Sequence, residues 1–206
     1  MTAFRVGLTG GLASGKSTVA GWLRDAGLEV VDADHLVAEL YRPGQPGAAA
    51  AAALFGPGAL DAQGAVDHAA VAARVFADGA ARRALEQAIH PLVRRRFEEI
   101  ASASGGEVVA LEATLLVEAG YAPGFDLIVT VEADPATRLR RAVERGLPEA
   151  AARARLDAQG DGAQRRAAAH RLLDNGGDKA ALRRQVDALI ADLRRHAQRD
   201  RLDAAP

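Results

Sequence analysis

Thr9-Gly10-Gly11-Leu12-Ala13-Ser14-Gly15-Lys16-Ser17-Thr18 joins a short apolar run, Phe4 to Thr9, to a helical pattern that begins at Lys16. Residues 10 to 17 match G-x-x-x-x-G-K-[ST] in full, in the strand-to-helix setting that this motif needs. Its glycines let the backbone curl so that N–H groups point at phosphate oxygens, and the helix N-terminus that follows adds a favourable dipole. Lys16 brings a mobile positive charge to the β and γ phosphates, and Ser17 offers a hydroxyl to magnesium. Gly11, Leu12, Ala13, Ser14, Gly15, Lys16, Ser17 and Thr18 are therefore the expected nucleotide-binding residues. Lys16 is one of only two lysines in the chain, which makes a chance match a poor explanation.

Outward from this loop, short β-like runs alternate with helical stretches, the pattern of a parallel sheet covered on both faces. The helix is expected over Lys16 to Ala26, with Val19, Trp22, Leu23 and Ala26 on one face and Gly27 as its stop. Further strands are expected over Leu28 to Val31, Glu107 to Ala113 and Asp126 to Glu132, the last two separated by the turn signals Gly120 and Pro123-Gly124. A final helix should start near Asp178 and bury Leu182, Val186, Leu189, Ile190 and Leu193. Between strands two and three lies a mainly helical insertion, residues 36–104, and a second, arginine-rich insertion spans 137–171. The expected organisation is one α/β domain over 1–206, with its core at about 1–35, 105–136 and 172–206 and two helical lobes.

With 206 residues the chain is long enough for one substantial core. A net charge of -1 gives no overall basic surface, so no nucleic-acid partner is expected. There is no cysteine, which excludes disulfides and thiolate metal sites and fits a reducing compartment. No apolar run approaches the roughly 18 residues that span a bilayer, so the expectation is a cytoplasmic protein with no membrane partner. His35, His68, His170 and His196 show no zinc-like clustering.

Asp32-Ala33-Asp34 follows the second strand directly. In open α/β sheets the ligand crevice lies outside the carboxyl ends of the strands, and alternation along an extended chain aims both carboxylates one way. Two acids near a triphosphate suit a magnesium ligand, direct or through water, and a general base. The plainer reading is that one of them caps the helix beginning near His35.

TGGLASGKST (Thr9 to Thr18), VDAD (Val31 to Asp34), IHPL (Ile89 to Leu92), LLVE (Leu115 to Glu118), RLxxQ (Arg155 to Gln159) and LLDNGG (Leu172 to Gly177) together resemble the dephospho-CoA kinase family. The resemblance implies a P-loop kinase core, a helical substrate-binding lobe matching the first insertion and a lid matching the second. It implies ATP-dependent phosphorylation of the 3′-hydroxyl of dephospho-CoA, with Mg2+, and ATP and dephospho-CoA as partners; a monomer is favoured. Carried over residue by residue, Lys16 and Ser17 contact phosphate and magnesium, and Asp34 is the base. Asp32, nearer the strand, is the better placed to order magnesium or its waters, and Glu112 stands at a strand end where the family often has an acid. Asn175 falls in the segment that closes over adenine, and His90, Leu115 and Glu118 are implied on the acceptor side. Three positions depart from the family pattern: Thr114 replaces a proline, Gly146 follows the lid arginine Arg145, and Ala169-His170 precedes LLDN.

Arg138, Arg141 and Arg145 would share one helix face, which suits a lid that brings guanidinium groups onto a transferring phosphate; Arg141 is the catalytic and nucleotide-binding candidate. A solvated arginine face is the alternative. Arg94, Arg95 and Arg96 are candidates for the acceptor diphosphate, although three consecutive arginines cannot all face one way on a helix. His90-Pro91 reads first as a bend or a helix start. A nucleotide-binding switch protein would use the same phosphate loop, but no N-K-x-D guanine motif is present. A kinase for another small acceptor is the main rival.

Overall fold

The computed structural model describes residues 3–104 and 108–203. Its three central strands form where β-branched and apolar side chains are buried on both faces. β1 (Phe4–Thr9) runs through the middle, with Val6 and Leu8 fully buried, and β3 (Val108–Glu112) is buried along its whole length. The five-stranded sheet has the order β2-β3-β1-β4-β5, where β2 is Glu29–Asp32, β4 is Leu127–Glu132 and β5 is Arg171–Asp174. β1 pairs in parallel with β3 and with β4, and β4 in parallel with β5. Glu107, expected to open β3, lies outside the described residues.

Residues 1–31 and 101–206 form one compact unit, and residues 32–100 form another. In the first, α1 (Lys16–Asp25) and α9 (Lys179–Asp203) cover the sheet, and Val19, Leu23, Leu182, Val186, Leu189 and Leu193 join Val6, Leu8, Val129 and Val131 in its core. Asp178 does cap α9, its carboxylate accepting the Ala181 N–H at 2.6 Å. The arginine-rich segment folds as α6 (Pro135–Glu144), α7 (Glu149–Ala158) and α8 (Ala163–Ala168). In this unit β5 is the element that sequence periodicity missed. It is an edge strand of four residues in which Leu173 alone is buried, so it carries no apolar alternation.

The second unit contains α2 (Ala33–Leu40), α3 (Pro46–Phe55), α4 (His68–Ala77) and most of α5 (Gly79–Ala103). Ala48, Ala51, Ala59, Val66 and Val71 form its small core, with Tyr41, Phe55 and Leu85 packed against it. The alanine run is thus an ordinary helix. Of the two readings of His90-Pro91, the helix start is corrected, because Pro91 lies inside the continuous α5. The missing N–H leaves the Gln87 carbonyl without its i→i+4 bond, a loss that the rest of a 25-residue helix outweighs.

Candidate active site

The loop between β1 and α1 is held open by its glycines and braced from distant parts of the chain. Gly15 precedes α1 with φ 105, and a Cβ there would lie 2.1 Å from Nδ2 of Asn175. A Cβ on Gly11 would lie 2.1 Å from Nη2 of Arg138. A side chain at either position would have to displace a polar group that already fills the space, and at Gly15 it would also meet the positive φ. Asn175 donates from Nδ2 to the Ser14 carbonyl at 2.7 Å, and its own carbonyl accepts from Arg141 Nη2 at 3.0 Å. It is buried, and its N–H is bonded to the Glu132 carbonyl at 2.7 Å.

On the other side of the loop, Gln159 Oε1 accepts from the Leu12 N–H at 2.8 Å and from Arg138 Nη2 at 2.9 Å, while Arg138 Nε donates to the Leu12 carbonyl at 2.9 Å. Ala13 packs against Ala142 of α6 and Ala152 of α7, with Leu12, Leu139 and Leu147 around them. The helices of the arginine-rich insertion therefore rest directly on the phosphate loop. Burial, reinforced by the charge of Arg165, pulls the Arg138 guanidinium below its ordinary pKa, and Glu132 opposes that shift. The shared arginine face is realised only in part: Arg138 is buried, Arg141 is half-buried and Arg145, just past the end of α6, is exposed.

Lys16 Nζ lies 2.8 Å from Glu112 Oε1, and Arg24 Nη2 lies 3.4 Å from Glu112 Oε2. Glu112, at the carboxyl end of β3, is nearly inaccessible, and both of its oxygens are engaged. Ser17 is exposed at the start of α1, and its hydroxyl has no bond among the described residues. The buried hydroxyl of Ser14 and Nη1 of Arg141 also lack partners. Groups buried without partners are rare in folded proteins, so the Ser14 hydroxyl and Arg141 Nη1 leave hydrogen-bonding capacity open beside this loop, while the remaining such atoms belong to Arg165 and Glu132.

LLVE forms a turn after β3, in which Leu115 is exposed, Leu116 is fully buried and Glu118 is ion-paired with Arg165 of α8. The Arg165 side chain is wholly inaccessible, and its Nε is 3.9 Å from Glu132. Glu118→Ala strands this buried charge with only the distant Glu132, so the variant should lose about 3 kcal/mol of stability, measured by urea unfolding. A residue that only touched the acceptor would leave the unfolding midpoint unchanged. Gly15→Ala should cost about 1–3 kcal/mol through the positive φ and the displacement of Asn175, and would appear as a lower Tm.

In the second unit, Asp32 Oδ1 accepts the Asp34 N–H at 2.8 Å and so caps α2. Of the two acids it is Asp32 that does the capping; the Asp34 carboxylate is exposed and has no partner among the described residues. His90 is half-buried in α5, and burial, aided by Arg94, holds its imidazole below the usual histidine value against the pull of Glu86. Gln159, Arg165 and Glu132 were not among the residues that sequence reasoning placed in the site, and Arg138, singled out as one of three arginines for a transferring phosphate, instead bonds the Leu12 carbonyl and Gln159. Gln159 was visible as the last letter of RLxxQ; Arg165 and Glu132 carried no local signal.

A G-x-x-x-x-G-K-[ST] loop between the central strand and first helix of a five-stranded parallel sheet, with the helices of the arginine-rich insertion resting on it, defines a P-loop kinase fold. The family model for dephospho-CoA kinase matches residues 4–181, and the chain belongs to that family. A dephospho-CoA kinase of Mycolicibacterium paratuberculosis is 49% identical over 180 residues, covering 86% of this chain and 44% of that protein. The chain thus spans a little under half the length of that relative. A dephospho-CoA kinase of Leifsonia xyli is 44% identical over 92% of this chain and 98% of its own length. The crystal structure of TT1252 from Thermus thermophilus is 35% identical, with a TM-score of 0.79 over 94% of this chain and 99% of that one.

Proposed function

We propose that this protein transfers the γ-phosphoryl group of ATP to the 3′-hydroxyl of dephospho-CoA, giving coenzyme A and ADP. The observation that carries this reading is family membership over residues 4–181 together with a complete phosphate loop. In the step, Asp34 accepts the proton of the ribose hydroxyl as its oxygen bonds to the γ phosphorus. The bond from that phosphorus to the β–γ bridging oxygen breaks, and its electron pair leaves with ADP. Lys16 turns from Glu112 to the β and γ phosphates, Gly11 to Thr18 hold the phosphates through backbone N–H groups, and Arg141 balances the charge that develops. Asn175 serves the nucleotide by keeping the loop in shape.

A magnesium ion held mainly by phosphates and water needs only one or two oxygens from the protein, and the free hydroxyl of Ser17 and the carboxylate of Glu112 fit that demand. When bound, the metal neutralises charge on the β and γ oxygens. Asp32 contributes through ordered water, since one of its oxygens caps α2. Among the described residues no group of three or more His, Cys, Asp or Glu could hold a metal, which suits a substrate-borne ion. His90, Leu115 and Glu118 are assigned to the acceptor side, Glu118 acting through Arg165. We place the enzyme in the cytoplasm as a monomer without nucleic-acid or membrane partners; no helix among the described residues is long and apolar enough to cross a membrane.

An ADP-release assay with dephospho-CoA, AMP or no acceptor tests the reading. Release that depends on dephospho-CoA is expected; equal or greater release with AMP would assign the chain to another acceptor.

The lid is expected to tighten on its ligands. Its hold on the loop is a small alanine cluster and a few hydrogen bonds, so local opening should cost little in the free protein. Amide exchange over residues 138–166 should slow in the presence of dephospho-CoA and a non-hydrolysable ATP analogue. Unchanged exchange with both ligands would mean that this segment is not a lid.

A further inference from the structure

The second unit contains a cavity of about 450 Å³ that the catalytic reading leaves unused. One wall is a single face of α5, where Leu92, Arg95, Arg96 and Glu99 recur at helical spacing. The opposite wall is the end of α2 and the turn into α3, including Glu39 and Arg42. Three guanidinium groups thus face two carboxylates, a net positive charge, in a hollow of the size that takes part of a small molecule.

The pairing within it is uneven. Arg96 is served by both acids, with Glu99 at 3.0 Å and Glu39 at 3.9 Å. Glu39 is further engaged by His35 at 3.3 Å. Arg95 reaches only Glu99, at 3.9 Å, too far for a hydrogen bond, and the Arg42 side chain has no partner among the described residues. The positive charge left over therefore sits on Arg42 and Arg95, from opposite walls. Leu40, Leu92 and Pro46 supply the smaller, apolar part of the lining. Two planar guanidinium forks facing one hollow match an extended anion with several oxygens better than a single carboxylate.

The cavity also shares an element with the proposed base. Asp34 is in the first turn of α2 and Leu40 closes it, a rise of about 9 Å for six residues. That span is comparable to the distance across a nucleotide from its 3′-hydroxyl to its 5′-diphosphate.

We propose that this cavity binds the 5′-diphosphate of the acceptor through Arg42 and Arg95, with Arg96 held by Glu39 and Glu99 as part of the wall. The assignment rests on the reading of dephospho-CoA as the acceptor. Arg42 and Arg95 then fix the far end of the acceptor, so that its 3′-hydroxyl is presented to Asp34 and no other hydroxyl is.

The test is calorimetric binding of dephospho-CoA to the whole protein, with a non-hydrolysable ATP analogue saturating the phosphate loop so that only the acceptor site is read. Arg42→Ala and Arg95→Ala should each weaken binding about tenfold, and lysine at either position should restore part of it. In turnover assays the change should appear in KM for dephospho-CoA, with KM for ATP unmoved. Arg82→Ala, also exposed on α5 but outside the cavity, should behave as wild type. Both side chains are exposed, so the variants should fold, and an unchanged circular dichroism melt would verify it. If the wild type binds and phosphorylates dephospho-CoA while the double variant binds it within twofold of wild type, the cavity assignment is overturned and the functional reading stands. A loss confined to KM for ATP would overturn it equally. If the wild type neither binds nor phosphorylates dephospho-CoA, the functional reading falls, and this assignment with it.

Discussion

Asp34→Asn is expected to lower kcat by about 10²- to 10⁴-fold with much smaller changes in the two KM values. A ribose hydroxyl is a poor nucleophile at neutral pH, so a carboxylate within hydrogen-bond reach is needed to accept its proton as the bond to phosphorus forms. Asparagine keeps the size and one acceptor oxygen but cannot take the proton. The local structure separates the two candidate acids. Asp32 spends an oxygen on the N–H of Asp34 to start α2, whereas the Asp34 carboxylate is exposed and uncommitted. Asp32→Asn retains a capping oxygen, so α2 should survive, and activity should become more dependent on magnesium concentration with a smaller loss at saturating metal. The measurement is kcat for both variants across a magnesium titration. Near-normal turnover by Asp34→Asn beside an inactive Asp32→Asn would reverse the two roles.

Lys16→Ala should lower kcat by about 10²- to 10³-fold, because its charge is worth more in the transition state, when negative charge moves toward the β–γ bridge. The sequence alone suggests that this change leaves folding almost untouched. The ion pair with Glu112 alters that expectation: the alanine variant leaves a buried carboxylate with Arg24 alone at 3.4 Å, and about 1–3 kcal/mol of stability should go with it. Turnover and urea unfolding on the same preparation separate the two effects. Retention of more than a third of wild-type kcat would remove Lys16 from the mechanism. Lys16→Ala with Glu112→Gln should recover stability without recovering turnover, since glutamine needs no counter-charge.

The phosphate loop, strands β1 to β4 and the covering helices were legible in the sequence because each is encoded over a few consecutive residues. Glycine spacing, β-branched runs and 3.6-residue periodicity are local, and β1, α1 and α9 formed within a residue or two of where those patterns put them. VDAD, LLVE and LLDNGG likewise showed the family while saying little about contacts. LLVE is the clearest instance, for its glutamate is tied to Arg165, 47 residues away, in a segment with no motif.

Tertiary structure alone decided what surrounds the loop. Gln159 and Arg138 meet Leu12 across 147 and 126 residues, and Asn175 meets Ser14 across 161. No periodicity reports such pairs, because a charged or amide side chain is buried only where a distant partner satisfies it, and the partner is chosen by how the elements pack. The same holds for the three arginines at 94–96, identical as letters: the turn of α5 gives two of them to the cavity, and the placement of two glutamates leaves one of those two neutralised and the other available. The chain's own chemistry determined that it carries a phosphate-binding loop; which polar groups stand around that loop, and which are left free to meet a ligand, depended on the packing of segments that the sequence keeps far apart.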